Sequence, residues 1–147
     1  MSMFQSFNIN ASGMTAQRFR MDVISENVAN VNTTRDDNNQ PYRRKIVTFA
    51  EKRVTPFSKV LQTTRESFLG NGVKVYSVKE DTETDFIMKY DPAHPHPDEN
   101  GYVTYPNVNI VTEMTNMIDA SRSYEANATA FESSKAMALK GLELGKS

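Results

Sequence analysis

The amino-acid sequence predicts an α+β fold in which long N- and C-terminal helices pair as a coiled-coil-like inner domain, with a small antiparallel β module and loops between them. Two observations predict this fold. Apolar side chains recur near both ends of the chain at alternating spacings of three and four residues. The middle of the chain is rich in β-branched and aromatic residues and in turn signals. We therefore expect three segments, at 1–32, 33–108 and 109–147.

The N-terminal helix is predicted to run from Phe4 to Asn30. When positions are counted alternately three and four residues apart from Phe4 to Val28, six of the eight are apolar. This spacing places them along one side of a helix, as in the a and d positions of a coiled coil. At a rise of 1.5 Å per residue, the helix would span roughly 40 Å.

The stretch SENVANVN, Ser25–Asn32, lies at the end of this helix and contains three asparagines. An asparagine amide both donates and accepts hydrogen bonds, and a buried Asn fixes the register of a coiled coil. We predict that Asn27 and Asn30 bond to neighbouring chains or to the C-terminal helix, and that Asn32 marks the exit from the helix. The alternative is that all three asparagines only fray the helix end.

The C-terminal helix is predicted to begin at Ile110. The same alternating count from Ile110 reaches ten positions, of which eight are apolar, and the helix would extend over about 50 Å. Asn107 or Asn109 can cap its first backbone N–H groups. The negative charge of Glu113 is favourable near the N-terminal, positive end of the helix dipole. Gly145 is suited to end the helix at its C-terminus.

Four short strands are predicted between the helices, each rich in β-branched or aromatic residues. Turn signals separate them at Asn71–Gly72, Asp91–Pro92 and Asp98–Gly101. The polar and weakly periodic segments 31–44 and 53–70 are predicted to be loops. The strands are expected at Lys45–Phe49, Gly72–Val78, Asp85–Tyr90 and Gly101–Tyr105.

Composition argues against several classes of protein. The chain of 147 residues has a formal net charge of −1, so it lacks the positive field that would hold nucleic acid or an anionic membrane. No cysteine is present to form a disulfide or a thiolate metal site. The N-terminus lacks the apolar core of a Sec signal peptide, and no run of about 18 apolar residues predicts a membrane span.

Candidate catalytic and metal-binding residues are few. His94 and His96 have the spacing of two metal ligands, but they are the only histidines and no third ligand is visible, so we predict a proline-stiffened loop. The basic run Tyr42–Lys45 is interpreted as a strand edge. No motif of a known catalytic nucleophile, phosphate loop or zinc protease occurs. We predict no enzyme activity, cofactor or metal site. The alternatives are a metal-dependent enzyme using the two histidines and a peripheral membrane protein lying on its N-terminal helix.

The two apolar stripes favour assembly instead. About 50 Å of stripe on the C-terminal helix outruns about 40 Å on the N-terminal helix, so mutual packing leaves apolar surface uncovered. Large exposed apolar surfaces mark interfaces. We predict that part of both stripes contacts other subunits, with a closed intramolecular bundle as the alternative. The predicted assembly interface consists of Phe4, Phe7, Met14, Met21, Asn27, Val28, Asn30, Ile110, Met114, Met117, Tyr124, Phe131 and Leu142.

Several stretches of the sequence resemble the flagellar basal-body rod proteins, and among them the members of the proximal rod. SENVANVNT matches the rod-protein pattern S-x-N-[LIV]-A-N-x-[NDS]-T. The resemblance covers the whole chain, and its motifs occur in the order of the family. The stretches are SENVANVNT (25–33), QPYRRK (40–45), GNGVKV (70–75), YDPAHPHPDENGYV (90–103) and the C-terminal segment 106–145.

This resemblance implies a structural, non-enzymatic subunit. Rod proteins pair their terminal helices and stack into a tubular drive shaft that crosses the periplasm, transmits torque and encloses the export channel. The implied partners are copies of this chain, other rod proteins and the flagellar type III export apparatus, with no nucleic acid and no small-molecule substrate. Export without a cleaved signal peptide is implied as well. One departure is DDNN, Asp36–Asn39, where the family often carries glycine and asparagine can supply left-handed backbone.

Overall fold

The computed structural model describes residues 3–36, 39–52 and 70–145. In this part of the chain two long helices flank four short strands, so the predicted α+β class is confirmed. The predicted loop over 53–70 falls, except for Gly70, outside the described residues. The helices are α1, Met3–Ala29, and α2, Ile110–Leu144; the strands are β1, Lys45–Glu51, β2, Val73–Glu80, β3, Ile87–Tyr90, and β4, Tyr102–Tyr105.

Side-chain amides define one end of each helix. Asn109 Oδ1 accepts hydrogen bonds from the N–H groups of Val111 and Thr112 at 3.0 and 3.2 Å, which confirms Asn109 as the N-cap of α2. At the end of α1, Asn30 Nδ2 donates to the carbonyl oxygen of Glu26 at 2.9 Å. Asn30 therefore holds the exit from α1, a role that the sequence pattern assigns to Asn32.

The loop between α1 and β1 contains the departure from the family pattern. Asn39 has a φ of 61°, in the left-handed region. Asparagine tolerates this region better than other non-glycine residues because its short polar side chain bonds locally. The expectation that an asparagine of DDNN supplies left-handed backbone is confirmed at Asn39.

The first sheet pairs β1 with β2. The N–H of Lys52 donates to the carbonyl of Gly72 at 2.9 Å, and the N–H of Asp81 donates to the carbonyl of Arg44 at 2.8 Å. Residues just beyond one end of β1 thus meet residues at the opposite end of β2, so the two strands are antiparallel.

The second sheet is a separate hairpin of β3 and β4. The strands are antiparallel, with Ile87 opposite Tyr105. The connection closes at Gly101, whose φ of 79° is a left-handed conformation that glycine adopts without strain. The rings of Tyr90 and Tyr102 form an edge-on cross-strand pair with centroids 5.3 Å apart. The predicted β module is therefore built from two small sheets.

The chain divides into two compact units. Unit 1 takes the described residues of Met1–Phe19, Thr48–Ser77 and Ala120–Ser147, and unit 2 takes those of Arg20–Val47 and Val78–Asp119. Each unit therefore contains part of both helices. The division into three segments at 1–32, 33–108 and 109–147 stays a prediction.

In unit 1 the helices run antiparallel and approach closely. The rings of Phe7 and Phe131 pack with centroids 5.0 Å apart. Further along α1, Gly13 lies so near α2 that a Cβ atom would come within 2.7 Å of Asn127 Oδ1. Ala120 on α2 is fully buried. The small residues Gly13 and Ala120 thus allow α1 and α2 to approach closely, and the Phe7–Phe131 pair packs between the same two helices.

Unit 1 also attaches β2 to α1 through Ser12. Ser12 Oγ accepts the N–H of Val73 at 3.0 Å and donates to the carbonyl of Ile9 at 2.7 Å. Gly72 has a φ of 89°, and a Cβ atom at this position would collide with Ser12 Oγ. The predicted Asn71–Gly72 turn signal therefore marks a close contact with a helix, immediately before the first residue of β2.

Unit 2 buries polar side chains as well as apolar ones. Its buried apolar side chains include Val23, Ile24, Val103 and Val108. Its buried polar side chains are Asn27, Asp81, Asn107 and Glu113. Because a buried polar group costs free energy unless it is hydrogen-bonded, unit 2 depends on the bonds among these side chains.

Candidate assembly interface and its polar cluster

The outer face of the first turns of α2 carries four exposed apolar side chains, which we call the α2 stripe. They are Ile110, Val111, Met114 and Ile118, with exposed fractions of 45%, 73%, 57% and 52%. Residues at these spacings share one side of a helix. Contiguous exposed apolar surface marks interaction sites, so the α2 stripe is the best candidate interface in unit 2.

Two members of the α2 stripe belong to the predicted interface and two do not. Ile110 and Met114 lie on the alternating count, whereas Val111 and Ile118 fall between its steps. Their seven-residue spacing indicates them in the sequence, because it places Val111 and Ile118 on the same side of α2.

The remaining predicted interface residues differ in exposure. Phe4 and Leu142 are exposed, at 70% and 61%, and Phe131 packs on Phe7 within unit 1. Asn27 is buried. The half-buried residues are Phe7, Met14, Met21, Val28, Asn30, Met117, Tyr124 and Phe131.

A groove lies in unit 1 between the beginning of α1 and the last turns of α2. Its lining includes Ser6 from α1 and Met137, Ala138 and Leu142 from α2. Apolar side chains therefore remain accessible at this end of the helix pair, where Phe4 and Leu142 are exposed.

Asn27 uses its whole side-chain amide for hydrogen bonds within unit 2. Nδ2 donates to the carbonyl of Lys45 at 2.9 Å and to Glu113 Oε2 at 3.1 Å. Oδ1 accepts the Tyr42 hydroxyl and the N–H of Lys45, both at 2.9 Å. Two donors and two acceptor sites are the full capacity of an amide. The predicted bond between Asn27 and the C-terminal helix is present.

Arg44 joins Glu113 to Asp81. Its Nε and Nη2 donate to Glu113 Oε1 at 2.9 and 2.7 Å, and its Nη1 lies 3.4 Å from Asp81 Oδ2. The Glu113 side chain is 1% exposed and that of Asp81 is 7% exposed. Burial strengthens such charge-assisted bonds and makes an unpaired carboxylate costly. Glu113, predicted only to favour the helix dipole, is in addition an internal ion-pair partner.

Asp81 accepts hydrogen bonds from the chain around it. The backbone N–H of Thr84 is the main cause that lowers the pKa of Asp81, and the Thr84 hydroxyl, the N–H of Glu83 and Arg44 lower it further. Asn107 closes the same region, because its Nδ2 donates to the carbonyls of Asp81 and Thr84 and its Oδ1 accepts the N–H of Arg44. We call the connected set Asn27, Tyr42, Arg44, Asp81, Asn107 and Glu113 the polar cluster.

The ionisation of Tyr42 is expected to make the stability of unit 2 depend on pH in alkaline solution. Burial, followed by the negative charges of Glu26 and Glu113, raises the pKa of Tyr42 from 10.0 to about 12. This contribution to stability is complete below about pH 10, where unfolded tyrosine begins to ionise, and is lost as the pH rises toward 12. Tyr42→Phe removes this pH dependence and, by leaving Asn27 Oδ1 one donor short, costs about 1 kcal/mol at pH 8. Urea unfolding of both proteins between pH 8 and 11 measures the two effects, and an equal pH dependence in the variant would contradict the assignment.

The basic run Tyr42–Lys45 is used within unit 2. Arg43 Nη1 donates to the carbonyl of Asp81 at 3.0 Å, and its guanidinium lies 4.3 Å from the centre of the Phe86 ring. Lys45 forms an ion pair with Glu26. Together with the Arg44 contacts, these bonds give all three cations internal partners.

The proline-rich loop holds its histidines in local contacts. His94 Nδ1 accepts the backbone N–H of His96 at 3.3 Å. Among the described residues, no three His, Cys, Asp or Glu side chains are grouped to hold a metal ion. The described helices likewise include none with the length and apolarity needed to cross a membrane.

Comparison with known proteins agrees with the geometry of the two terminal helices. A family described as "Flagella basal body rod protein" matches residues 7–35, and one described as "Flagellar basal body rod FlgEFG protein C-terminal" matches residues 99–144. The first match covers most of α1, and the second contains all of α2.

Whole-length relatives carry the same family name. The chain is 46% identical to the flagellar basal-body rod protein FlgC of Bacillus subtilis over 152 residues, covering 99% of this chain and 100% of that protein. It is 46% identical to FlgC of Borreliella burgdorferi over 143 residues, 93% of each chain. With FlgC of Escherichia coli O157:H7 it shares 38% identity over 146 residues, 99% of this chain and 100% of the relative. The chain belongs to the flagellar basal-body rod protein family, in its FlgC group, and is a structural protein of the flagellar basal body rather than an enzyme.

Proposed function

We propose that this chain is a subunit of the proximal rod, the tubular drive shaft that transmits torque and encloses the export channel. Its copies assemble with one another and with other rod proteins through the terminal helices. The observation that supports this most strongly is the α2 stripe, where a helix held in place on one face by Glu113 exposes four large apolar side chains on the other.

Burial of the α2 stripe by neighbouring subunits supplies the assembly energy in this proposal. Covering one Val, Ile or Met side chain contributes roughly 1.5–3 kcal/mol. Many such contacts, repeated in every subunit, give a stiff assembly without any single strong bond. The exposed Phe4 at the beginning of α1 and Leu142 near the end of α2 form the second contact with neighbours.

The chain reaches the rod in the periplasm through the flagellar type III export apparatus, without cleavage of a signal peptide. The match to the rod-protein family supports this proposal, because it begins at residue 7 and so includes residues that a leader within this sequence would remove. The intact mass of the protein from purified basal bodies tests it. We expect the first residues of the sequence to be present, and a product lacking roughly the first twenty would refute this route.

Deletion of the gene tests the rod assignment itself. Cells without the chain should be non-motile and should form basal bodies without a complete rod in electron micrographs, and expression of the wild-type chain should restore both. A complete rod in the deletion strain would show that the chain is not a required rod subunit.

A further inference from the structure

Asn27 lies where four segments of unit 2 meet. It belongs to the last turns of α1, and its amide bonds to Tyr42 before β1, to Lys45 at the first residue of β1, and to Glu113 in the first turn of α2. Its side chain is 1% exposed. A residue so deeply buried presents no surface to a neighbouring subunit.

Glu113 lies beside the α2 stripe. It follows Val111 by two positions and directly precedes Met114, so the orientation of its carboxylate and that of the stripe are set by the same helical turn. Terminal turns of helices open readily unless side chains hold them. The Asn109 cap and the bonds that Glu113 accepts from Asn27 and Arg44 fix this turn within unit 2.

We propose that Asn27 is a positioning residue for assembly. Through Glu113 it holds the first turns of α2, and with them the α2 stripe, in the orientation that neighbouring subunits bind, and it does so without contacting a neighbour. The link to assembly rests on the proposed function, whereas the link to α2 concerns the free chain alone.

The bonding pattern requires an amide at position 27 and a carboxylate at position 113. Asn27→Asp keeps the shape and both acceptor sites, but it removes two donors and sets a negative charge beside the Glu113 carboxylate, which Asn27 Nδ2 approaches to 3.1 Å. Glu113→Gln places the side-chain amides of Gln and Asn27 donor to donor. In the double variant the Gln amide can donate to the new carboxylate, while its oxygen still accepts from Arg44. Each single change is therefore expected to disrupt the contact, and the two together to restore part of it.

Hydrogen exchange of the full-length free chain, followed by mass spectrometry, tests this coupling. In Asn27→Asp and in Glu113→Gln, amides of residues 110–118 should exchange roughly 100-fold faster than in the wild type, because both variants lose the buried bond between positions 27 and 113. Asn27→Asp also loses the bond to the Lys45 carbonyl, and Glu113→Gln also loses the negative charge that pairs with Arg44. Amides of residues 127–138, in unit 1, serve as the internal control and should change little. The double variant should recover at least tenfold of the protection in residues 110–118.

Recovered protection in the double variant distinguishes a specific contact between positions 27 and 113 from simple loss of packing. Two independent packing defects would instead add, and the double variant would exchange faster than either single variant. Protection that is unchanged in the single variants, or a double variant worse than either single one, would overturn the proposal. Should Asn27→Asp not fold, Tyr42→Phe removes one of the four bonds and should give a smaller increase confined to the same region. No increase there would also overturn it.

Rod assembly with the same variants tests the second link. Asn27→Asp should impair assembly and the double variant should restore it in part, in parallel with exchange. If exchange follows the expected pattern while assembly is normal in Asn27→Asp, the coupling within the chain stands and its role in assembly is refuted. A normal rod from a chain with a charged α2 stripe would instead contradict the proposed interface.

Discussion

Arg44→Met is expected to lower the free energy of unfolding by about 3–5 kcal/mol, the range found when one partner of a buried ion pair is removed. The substitution keeps most of the apolar stem but leaves the carboxylates of Glu113 and Asp81 buried without their shared cation. The loss is large because the side chains of Glu113 and Asp81 are only 1% and 7% exposed, so little water is available to replace the charge that Arg44 supplies. Urea unfolding followed by circular dichroism measures it.

Arg44→Lys is the matched control. A lysine keeps the positive charge but has a single ammonium group, so it cannot reproduce the guanidinium bonds to Glu113 and Asp81 together. Its loss of stability should lie between zero and that of Arg44→Met. Equal stabilities for wild type and Arg44→Met would show that the ion pairs contribute nothing net.

Met114→Asp is expected to abolish rod assembly while leaving the free chain folded. Met114 is 57% exposed in the single chain, so an aspartate at this position remains hydrated before assembly. In the proposed interface, the aspartate lacks the roughly 1.5–3 kcal/mol of favourable free energy that burial of a methionine contributes. Burial of its charge also costs desolvation free energy. The loss recurs in every subunit. Swimming assays and electron microscopy of basal bodies measure assembly, and the unfolding midpoint of the purified chain measures folding.

Two controls isolate the contribution of the α2 stripe. Met114→Leu keeps an apolar side chain of similar volume and should assemble normally. Thr112→Asp adds the same charge to the same turn of α2, outside the stripe, and should retain assembly. A motile Met114→Asp strain would contradict the interface assignment, as would equal defects from aspartate at positions 112 and 114.

Helix and strand positions could be predicted because they depend on local patterns. The apolar count from Ile110 and the cap at Asn109 locate the first residue of α2, and the β-branched run at Lys45 locates β1. The two shorter strands end where predicted, at Tyr90 and Tyr105, but begin one or two residues later. These signals require no knowledge of which segments meet.

The inner face of α2 could not be predicted from apolarity alone. The alternating count includes Met114, which is exposed, and passes over Glu113 and Ala120, which are buried. Glu113 is buried because Arg44 and Asn27, 69 and 86 positions away in the sequence, neutralise and bond it. No local pattern in the sequence reveals a partner at that separation.

The asparagines of SENVANVN illustrate the same limit. The sequence predicts that Asn27 and Asn30 bond outside the helix, either to neighbouring chains or to the C-terminal helix. In the structure Asn27 bonds to α2 and β1, whereas Asn30 bonds to Glu26 and Thr33 near the end of its own helix. One motif therefore carries two different roles, and only the contacts distinguish them.

The accessibility of the α2 stripe in the assembled rod shows directly whether neighbouring subunits cover it. Because the chain contains no cysteine, Met114→Cys introduces a unique thiol for maleimide labelling. We expect the thiol to be labelled readily in the free chain, protected in intact purified basal bodies, and labelled again after these are dissociated. Equal labelling of the free and assembled chain would show that the α2 stripe is not covered in the rod and is not the assembly interface.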